Sequence, residues 1–257
     1  MIKINKVLYK EIFSPPMMSF FVISACNLQC KECIMLSQMK LHSAYQMSLE
    51  EIEKFIYYTE KSGYFFNYRY TGGEPLYWKN LEEGTRMLRR SKSCKSILLM
   101  TNAMKHDNIT DNIINMIDYV RISKYDYNHD AIKILKDKYP EKVMVVDRED
   151  FYPNPKEPLE NSLPVDCGNP EHLYFNNKIF ACPHSYSLAI KNGLTHLELG
   201  VDIGMDYCKR NREIRDGHEK ICTLCLGNKK VRNQIEKEHN FSNHHSSLIQ
   251  LTIRRKT

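Results

Sequence analysis

Residues 17–33 read MMSFFVISACNLQCKEC and combine an apolar stretch with three closely spaced cysteines. The apolar run over 17–25 predicts a buried β-strand. The cysteines follow it directly with the spacing Cys26-x3-Cys30-x2-Cys33. Three thiolates on one loop can bind three irons of a 4Fe–4S cluster, which leaves the fourth iron open to a substrate or cofactor. The alternatives are a zinc site with a distant fourth ligand, or simply buried cysteines.

The composition around this stretch is that of an ordinary globular protein. The chain has 257 residues, of which 42% are hydrophobic and 26% charged, enough for one ample domain or a domain with a small appendage. No apolar run reaches the roughly 18–20 residues that a membrane span needs, and the first residues lead into no signal-peptide pattern. We therefore expect a cytoplasmic protein without a membrane partner. Nine cysteines, an odd number, disfavour a disulfide scaffold and favour metal or redox chemistry.

The formal net charge of +6 is unevenly distributed. Residues 228–257 hold seven Lys and Arg against two Glu, so this segment carries +5 and the rest of the chain is nearly neutral. A solvated terminal segment is the simpler interpretation of such a basic tail, and contact with phosphates or nucleic acid is the alternative. Because the body of the chain is nearly neutral, we do not expect nucleic acid to be the main partner.

After the cysteines, predicted helices alternate with predicted strands. The helix at 48–62 has the best-defined ends, since Ser48 and Glu51 form a capping box and Gly63 ends it. Further strands are predicted at 64–71, 96–101, 119–123 and 142–146, and further helices at 79–91, 108–117 and 130–138. Such alternation is typical of βα units around a parallel sheet, so the predicted fold class is α/β.

The pattern changes near residue 150. Three prolines between residues 152 and 158 exclude regular structure, so this segment is predicted to be a linker. Beyond it, two short runs at 172–175 and 178–181 flank Asn176-Asn177 and predict a β-hairpin. A helix is predicted at 229–238. The chain is therefore divided into three units, namely 1–150, 151–228 and a helix with a basic tail at 229–257.

A second motif, Gly72-Gly73-Glu74-Pro75, stands at the end of the second predicted strand, 39 residues after Cys33. Two glycines let the backbone approach a ligand closely, and a carboxylate can accept a hydrogen bond from an ammonium group. An ordinary strand–helix turn is the alternative for this motif on its own. Together with the cysteine spacing after the first strand, the motif makes the sequence resemble the radical S-adenosylmethionine (SAM) superfamily.

The resemblance implies a partial (β/α)6 barrel and assigns roles to residues at its mouth. It implies that Cys26, Cys30 and Cys33 hold the 4Fe–4S cluster to which SAM binds. SAM itself would be contacted by Gly72, Gly73, Glu74, Pro75, Asn102 and Ser123. An aromatic residue usually precedes the third cysteine in this superfamily, whereas this chain has Glu32, so the packing around the adenine is expected to differ.

Two further residues at the predicted mouth are candidates for contact with the substrate. Tyr125 follows the fourth strand, and Arg148 follows the fifth. An arginine at this place would clamp an anionic or hydroxyl-rich substrate. An ordinary surface arginine is the alternative interpretation of Arg148.

The resemblance also implies a reaction type. In this superfamily the reduced cluster gives one electron to SAM, and the 5′-deoxyadenosyl radical that forms abstracts hydrogen from an unactivated carbon. A flavodoxin- or ferredoxin-type protein is the expected electron donor. The cofactor carries the chemistry, while the barrel excludes solvent and directs the radical.

A second cysteine set lies at Cys167, Cys182, Cys222 and Cys225. It resembles twitch and SPASM domains, in which the first two cysteines flank a hairpin with glycine in its turn. Asn177 stands at that position here, and asparagine tolerates a left-handed conformation better than other non-glycine residues. The resemblance implies one auxiliary 4Fe–4S cluster in a twitch-like domain, and a four-cysteine zinc site is the alternative.

Cys94 and Cys208 are left over by this division. Cys94 is expected to precede the third strand and to be structural. Cys208 is interpreted as a core thiol, with a cluster ligand or a catalytic hydrogen-atom donor to a substrate radical as the alternatives.

Three hypotheses remain for the function. The first is a dehydrogenase or epimerase for a small hydroxyl-rich molecule such as a sugar, sugar nucleotide or aminocyclitol. The compact layout resembles the 2-deoxy-scyllo-inosamine dehydrogenase family and small radical SAM proteins associated with surface polysaccharides. In such an enzyme the auxiliary cluster would accept the electron that the substrate radical loses.

The second hypothesis is a maturase of a ribosomally made peptide, with an acidic leader held by the basic tail. The third is a non-catalytic iron–sulfur protein.

Overall fold

The computed structural model describes residues 16–30, 33, 35, 45–147, 171–180, 182–183 and 200–204. Several predictions concern residues outside these ranges. They are the predictions for Cys167, Cys208, Cys222, Cys225, Glu32, Arg148, the linker at 152–158 and the helix at 229–238.

Within the described residues, eight strands form one sheet in the order β5-β4-β3-β2-β1-β6-β7-β8. The strands are β1 (Met17–Ile23), β2 (Phe66–Gly72), β3 (Cys94–Thr101), β4 (Tyr119–Lys124), β5 (Val143–Asp147), β6 (Glu171–Phe175), β7 (Lys178–Phe180) and β8 (Val201–Asp202). Strands β1 to β6 pair in parallel, whereas β7 and β8 pair antiparallel. The predicted α/β class with a parallel core is confirmed, and the arrangement is consistent with a partial barrel.

Helices connect the parallel strands. In the described part of the chain they are α1 (Leu49–Ser62), α2 (Leu81–Arg90), α3 (Asp111–Met116) and α4 (His129–Lys138). The capping box of α1 is confirmed, because the Glu51 N–H donates to Ser48 Oγ at 3.2 Å and the Ser48 N–H donates to the Glu51 carboxylate at 2.9 Å. Gly63 ends this helix with a φ of 72°. None of the described helices has the length and apolar character needed to cross a membrane.

Some predicted boundaries are wrong by two or three residues. β3 begins at Cys94 and not at residue 96, because pairing with Phe66 of β2 extends it; Cys94 therefore lies in the strand and not before it. α3 begins at Asp111 and not at residue 108, because the Thr110 side chain accepts from the Ile113 N–H at 3.2 Å and caps the helix there. The other predicted boundaries that the structure describes differ by one or two residues at most.

Both faces of the parallel sheet bury apolar side chains. On the helix side, Phe20 of β1 packs edge-to-face against Phe55 of α1 at a centroid distance of 4.9 Å and against Tyr68 of β2 at 5.4 Å. The opposite side carries a smaller apolar cluster of Phe21, Met35, Leu173, Phe175 and Phe180. The first strand is therefore buried, as predicted from its sequence.

The predicted hairpin around Asn176-Asn177 is confirmed. The two asparagines have φ values of 48° and 59°, as a two-residue type I′ turn requires. The first strand of the hairpin, β6, pairs in parallel with β1 from Met17↔Glu171 to Phe20↔Tyr174. The sheet thus continues across the predicted boundary at residue 150, while the domain limits themselves stay a prediction.

Candidate active site

A cavity of about 300 Å³ opens at the carboxyl ends of the central strands, the edge at which parallel α/β sheets usually bind ligands. Its wall brings together the cysteine loop, the Gly72-Gly73-Glu74-Pro75 motif and the ends of β3 and β4. It includes Cys26, Cys30, Cys33, Gly72, Gly73, Glu74, Pro75, Asn102, Ser123 and Tyr125. These are ten residues for which the sequence predicts a cluster, SAM or substrate contact; the structure places them at one cavity, and their individual roles stay predictions.

The three cysteines after β1 are half-buried at this wall. The Leu28 N–H donates to Cys26 Sγ at 3.4 Å, and the Cys33 N–H donates to the Cys30 carbonyl at 3.2 Å. Burial raises the pKa of the Cys26 thiol, and the negative charges of Glu74 and the other two cysteines raise it further. The hydrogen bond from the Leu28 N–H lowers this pKa but does not cancel the rise. Among the described residues, no three His, Cys, Asp or Glu side chains are grouped closely enough to hold a single metal ion. Cysteine thiolates are the usual ligands of an iron–sulfur cluster, so the donor set of this wall fits one.

The close packing of the backbone itself requires glycine at positions 72 and 73. The Gly73 N–H donates to the Ile23 carbonyl at 2.6 Å, and the Glu74 N–H donates to the Ala25 carbonyl at 2.9 Å. A Cβ on Gly73 would stand 2.1 Å from the Ala25 oxygen. A Cβ on Gly72, whose φ is 130°, would stand 2.4 Å from the Ile23 oxygen. The glycines therefore let the end of β2 lie directly against the start of the cysteine loop.

Glu74 is buried, with 1% of its surface exposed. Its carboxylate accepts from the Thr101 hydroxyl at 2.6 Å, from the Asn102 N–H at 2.7 Å and from the Leu76 N–H at 3.1 Å. Burial raises the pKa of this carboxyl, and the three hydrogen bonds lower it. Glu74 thus joins the ends of β2 and β3. A carboxylate has about four acceptor positions, so the predicted contact with the ammonium group of SAM is compatible with these bonds.

Asn27 and Asn128, which the sequence did not single out, extend this network. The side chain of Asn102 donates from Nδ2 to Asn27 Oδ1 at 2.9 Å, which connects β3 to the cysteine loop. Asn128 is buried before α4 and donates from Nδ2 to the carbonyls of Asn102 at 2.8 Å and Ser123 at 2.7 Å. It also accepts from the Tyr125 N–H at 2.9 Å. An asparagine before a helix suggests an N-cap, yet this side chain makes no capping hydrogen bond.

Tyr125 lies at the mouth of the cavity beside the cysteine loop. Its hydroxyl is 3.9 Å from Cys30 Sγ, and its ring stacks on Tyr127 at a centroid distance of 5.2 Å and an interplanar angle of 8°. Tyr127 is half-exposed, and partial burial together with the Cys30 and Cys26 thiols raises the pKa of its hydroxyl to about 12. The position suits a contact with substrate or cofactor, whereas Arg148, the other predicted substrate residue, lies outside the described ranges.

Comparison with known proteins connects this site to a family. A sequence model of the radical SAM superfamily matches residues 20–148. The crystal structure of BtrN in complex with AdoMet and 2-DOIA superposes with a TM-score of 0.58 at 15% sequence identity, over 82% of this chain and 92% of that chain. A selenomethionine form of BtrN in an open conformation gives a TM-score of 0.50 at 18% identity, with the same coverage. A search of curated proteins finds no match.

The BtrN structures show a shared fold, since identity at this level carries no more than that. The match to the family model is more specific, because it spans half of the chain and includes the cysteine loop, the glycine motif and the ends of β3 and β4. Residues from all of these segments line the cavity. The chain therefore belongs to the radical SAM superfamily.

Proposed function

We propose that this radical SAM enzyme abstracts hydrogen from a small hydroxyl-rich substrate, such as a sugar, sugar nucleotide or aminocyclitol, and oxidises it. The observation that carries the proposal is that the three cysteines, the glycine motif and the ends of β3 and β4 line the same cavity. The substrate class is supported by the fold shared with BtrN, whose crystal structure contains AdoMet and 2-DOIA.

The walls of the cavity have distinct tasks in this proposal. The three cysteines would hold a 4Fe–4S cluster, which together with bound SAM would supply a 5′-deoxyadenosyl radical. The Gly72-Gly73-Glu74-Pro75 backbone and the Glu74 carboxylate hold the methionine part of SAM, and Asn102 and Ser123 provide further polar contacts. Asn128 positions both of these contacts, because its side chain bonds the carbonyls of Asn102 and Ser123.

An auxiliary cluster belongs to the same proposal. Cys182 is half-buried two residues after β7, on the hairpin whose first strand pairs with β1. Together with Cys167, Cys222 and Cys225 it would hold a second 4Fe–4S cluster that accepts the electron lost during oxidation of the substrate. A flavodoxin- or ferredoxin-type protein in the cytoplasm is the proposed source of the electron that starts each turnover.

Cleavage of SAM tests the core of the proposal. After anaerobic reconstitution and reduction with dithionite, the protein is expected to convert SAM to 5′-deoxyadenosine, and the triple variant C26A/C30A/C33A is expected to form none. Cys94→Ala is the matched control, because Cys94 lies at the start of β3 and does not line the cavity. Cleavage by the triple variant, or its absence in the intact protein, would contradict the proposal.

The iron content tests the auxiliary cluster separately. Two 4Fe–4S clusters correspond to about eight irons per chain, and the triple variant should retain about four. Chemical iron analysis together with a zinc determination distinguishes this from a zinc site. An intact, reconstituted protein with about four irons and bound zinc would refute the auxiliary cluster and leave the first cluster untouched.

A further inference from the structure

A group of charged side chains lies on the cavity side of the sheet, on three neighbouring strands. Arg69 of β2 donates from Nε to Ser19 Oγ of β1 at 2.8 Å. The Arg69 guanidinium forms an ion pair with the Glu171 carboxylate of β6, and the Ser19 hydroxyl donates to the same carboxylate. The Arg69 and Glu171 side chains are only 14% and 11% exposed. Arg121 of β4, separated from β2 by β3, lines the same cavity, and we call Ser19, Arg69, Glu171 and Arg121 the polar floor.

The polar floor belongs to the same cavity as the cysteine loop. Arg69, Arg121 and Glu171 line this cavity of about 300 Å³ together with Cys26 and Cys30. A molecule that contacts the floor therefore lies in the same cavity in which the proposed 5′-deoxyadenosyl radical would form.

The stability of the fold does not explain these charges. A buried ion pair contributes little net stability, and apolar residues of similar volume often replace it without loss. The same side of the sheet already buries Phe21, Leu173 and Phe175, so apolar side chains are accommodated on these strands. The charged groups are better explained by a ligand in the cavity that they face.

We propose that the polar floor binds two neighbouring hydroxyl groups of the substrate. A hydroxyl group donates one hydrogen bond and accepts others, whereas a carboxylate only accepts and a guanidinium only donates. A vicinal diol matches this arrangement, because one hydroxyl donates to Glu171 while its neighbour accepts from Arg69 or Arg121. The inference rests on the proposed function and narrows its substrate class to molecules with adjacent hydroxyls, with Arg69, Arg121 and Glu171 as specificity-determining residues.

Deuterium transfer from simple polyols tests this assignment. The reconstituted full-length protein is reduced in the presence of SAM and perdeuterated myo-inositol, scyllo-inosamine or glucose, and the deuterated fraction of the 5′-deoxyadenosine product is measured by mass spectrometry. The wild type is expected to take deuterium from at least one of these polyols. Perdeuterated cyclohexanol, which has a single hydroxyl, is expected to give none.

Glu171→Gln, Arg69→Lys and Arg121→Lys are each expected to lower the deuterated fraction about tenfold, as loss of a charged hydrogen bond implies. Because the fraction is a ratio within one product, slower SAM cleavage does not change it. Arg121→Lys changes a residue of β4, which is separated from β2 by β3, so it gives a second answer if the other variants fail to fold. Asn67→Ala is the matched control, since Asn67 accepts from Ser96 at 2.7 Å on the same side of the sheet and does not line the cavity.

The outcomes separate this inference from the proposed function. A wild-type protein that forms no 5′-deoxyadenosine contradicts the proposed function. A wild-type protein that cleaves SAM but takes deuterium from none of the polyols, or that takes it equally from cyclohexanol, overturns the inference alone. Folded floor variants with an unchanged deuterated fraction overturn it as well.

Discussion

Gly73 lines the cavity and also packs directly against the backbone of Ala25, just before the cysteine loop. Gly73→Ala would place a methyl group 2.1 Å from the Ala25 oxygen and 2.5 Å from its carbonyl carbon. Because both atoms belong to the backbone before Cys26, the strand end must move away from the cysteine loop. We expect a loss of about 3 kcal/mol in the free energy of unfolding, measured by urea denaturation, and weaker SAM binding in the reconstituted protein.

Gly63→Ala is the matched control for this substitution. Gly63 has a left-handed φ of 72°, but no heavy atom lies within 4 Å of a Cβ placed there. Only the conformational strain of about 1 kcal/mol remains, with no steric clash. Equal losses for the two variants would show that the contact with Ala25 is not decisive.

Single residues were predictable from the sequence where their chemistry depends on near neighbours in the chain. The spacing of the three cysteines predicts a common site, and all three line one cavity, whereas their role stays a prediction. The turn position of Asn177 follows from its place between two short strands. The partners of Glu74 were not predictable, because Thr101 and Asn102 approach it only after β2 and β3 pair side by side. Asn128 escaped notice for the same reason, since its hydrogen bonds join the ends of two strands.

The β6–β7 hairpin positions Glu171 of the polar floor, because Glu171 is the first residue of β6. Both turn residues have positive φ, and glycine at the second position is the most favourable choice for such a turn. Asn177→Gly is therefore expected to raise the free energy of unfolding by about 0.5 kcal/mol, and Asn177→Ala to lower it by about 1 kcal/mol. Urea midpoints of the two variants measure the difference, and an alanine variant as stable as the wild type would contradict it.

The ends of helices and strands were predicted best where capping residues or terminal glycines mark them in the sequence. The capping box and the terminal glycine of α1 both lie where the sequence indicates. The start of β3 was misplaced because it depends on pairing with β2 and not on its own residues. The start of α3 was misplaced because Thr110, a good capping residue, was not recognised as the N-cap.

At the scale of the whole molecule, the pairing of β6 with the second edge of β1 was the least predictable feature. The alternation of strands and helices implies a parallel sheet, but it does not reveal that β6 joins the free edge of β1. Residues before the proline-rich linker and residues after it share this pairing. The sheet therefore contains strands from both sides of the predicted division at residue 150, and the division itself stays a prediction.

Loading with cluster and SAM is expected to stabilise the whole molecule. A ligand present at about one hundred times its dissociation constant adds about 2.7 kcal/mol to the native state. For a chain of this size that corresponds to a rise in Tm of roughly 5–10 °C. Anaerobic differential scanning calorimetry of the apo and reconstituted protein measures the shift. C26A/C30A/C33A should lose the part of the shift that comes from the first cluster and SAM, and Cys94→Ala should keep the whole shift. A full shift in the triple variant would show that other residues bind the first cluster and SAM.

The parallel pairing of β1 with β6 also has a consequence for synthesis on the ribosome. Met17 and its partner Glu171 are about 150 residues apart, and translation proceeds at about 5–20 residues per second, so roughly 8–30 s pass between the emergence of the two strands. During this interval β1 can pair with β2 but presents its other edge, an apolar strand with unpaired backbone groups, to its surroundings. Nascent chains of this protein are thus most vulnerable to misassociation before β6 (Glu171–Phe175) is made, and the polar floor forms only after that period ends.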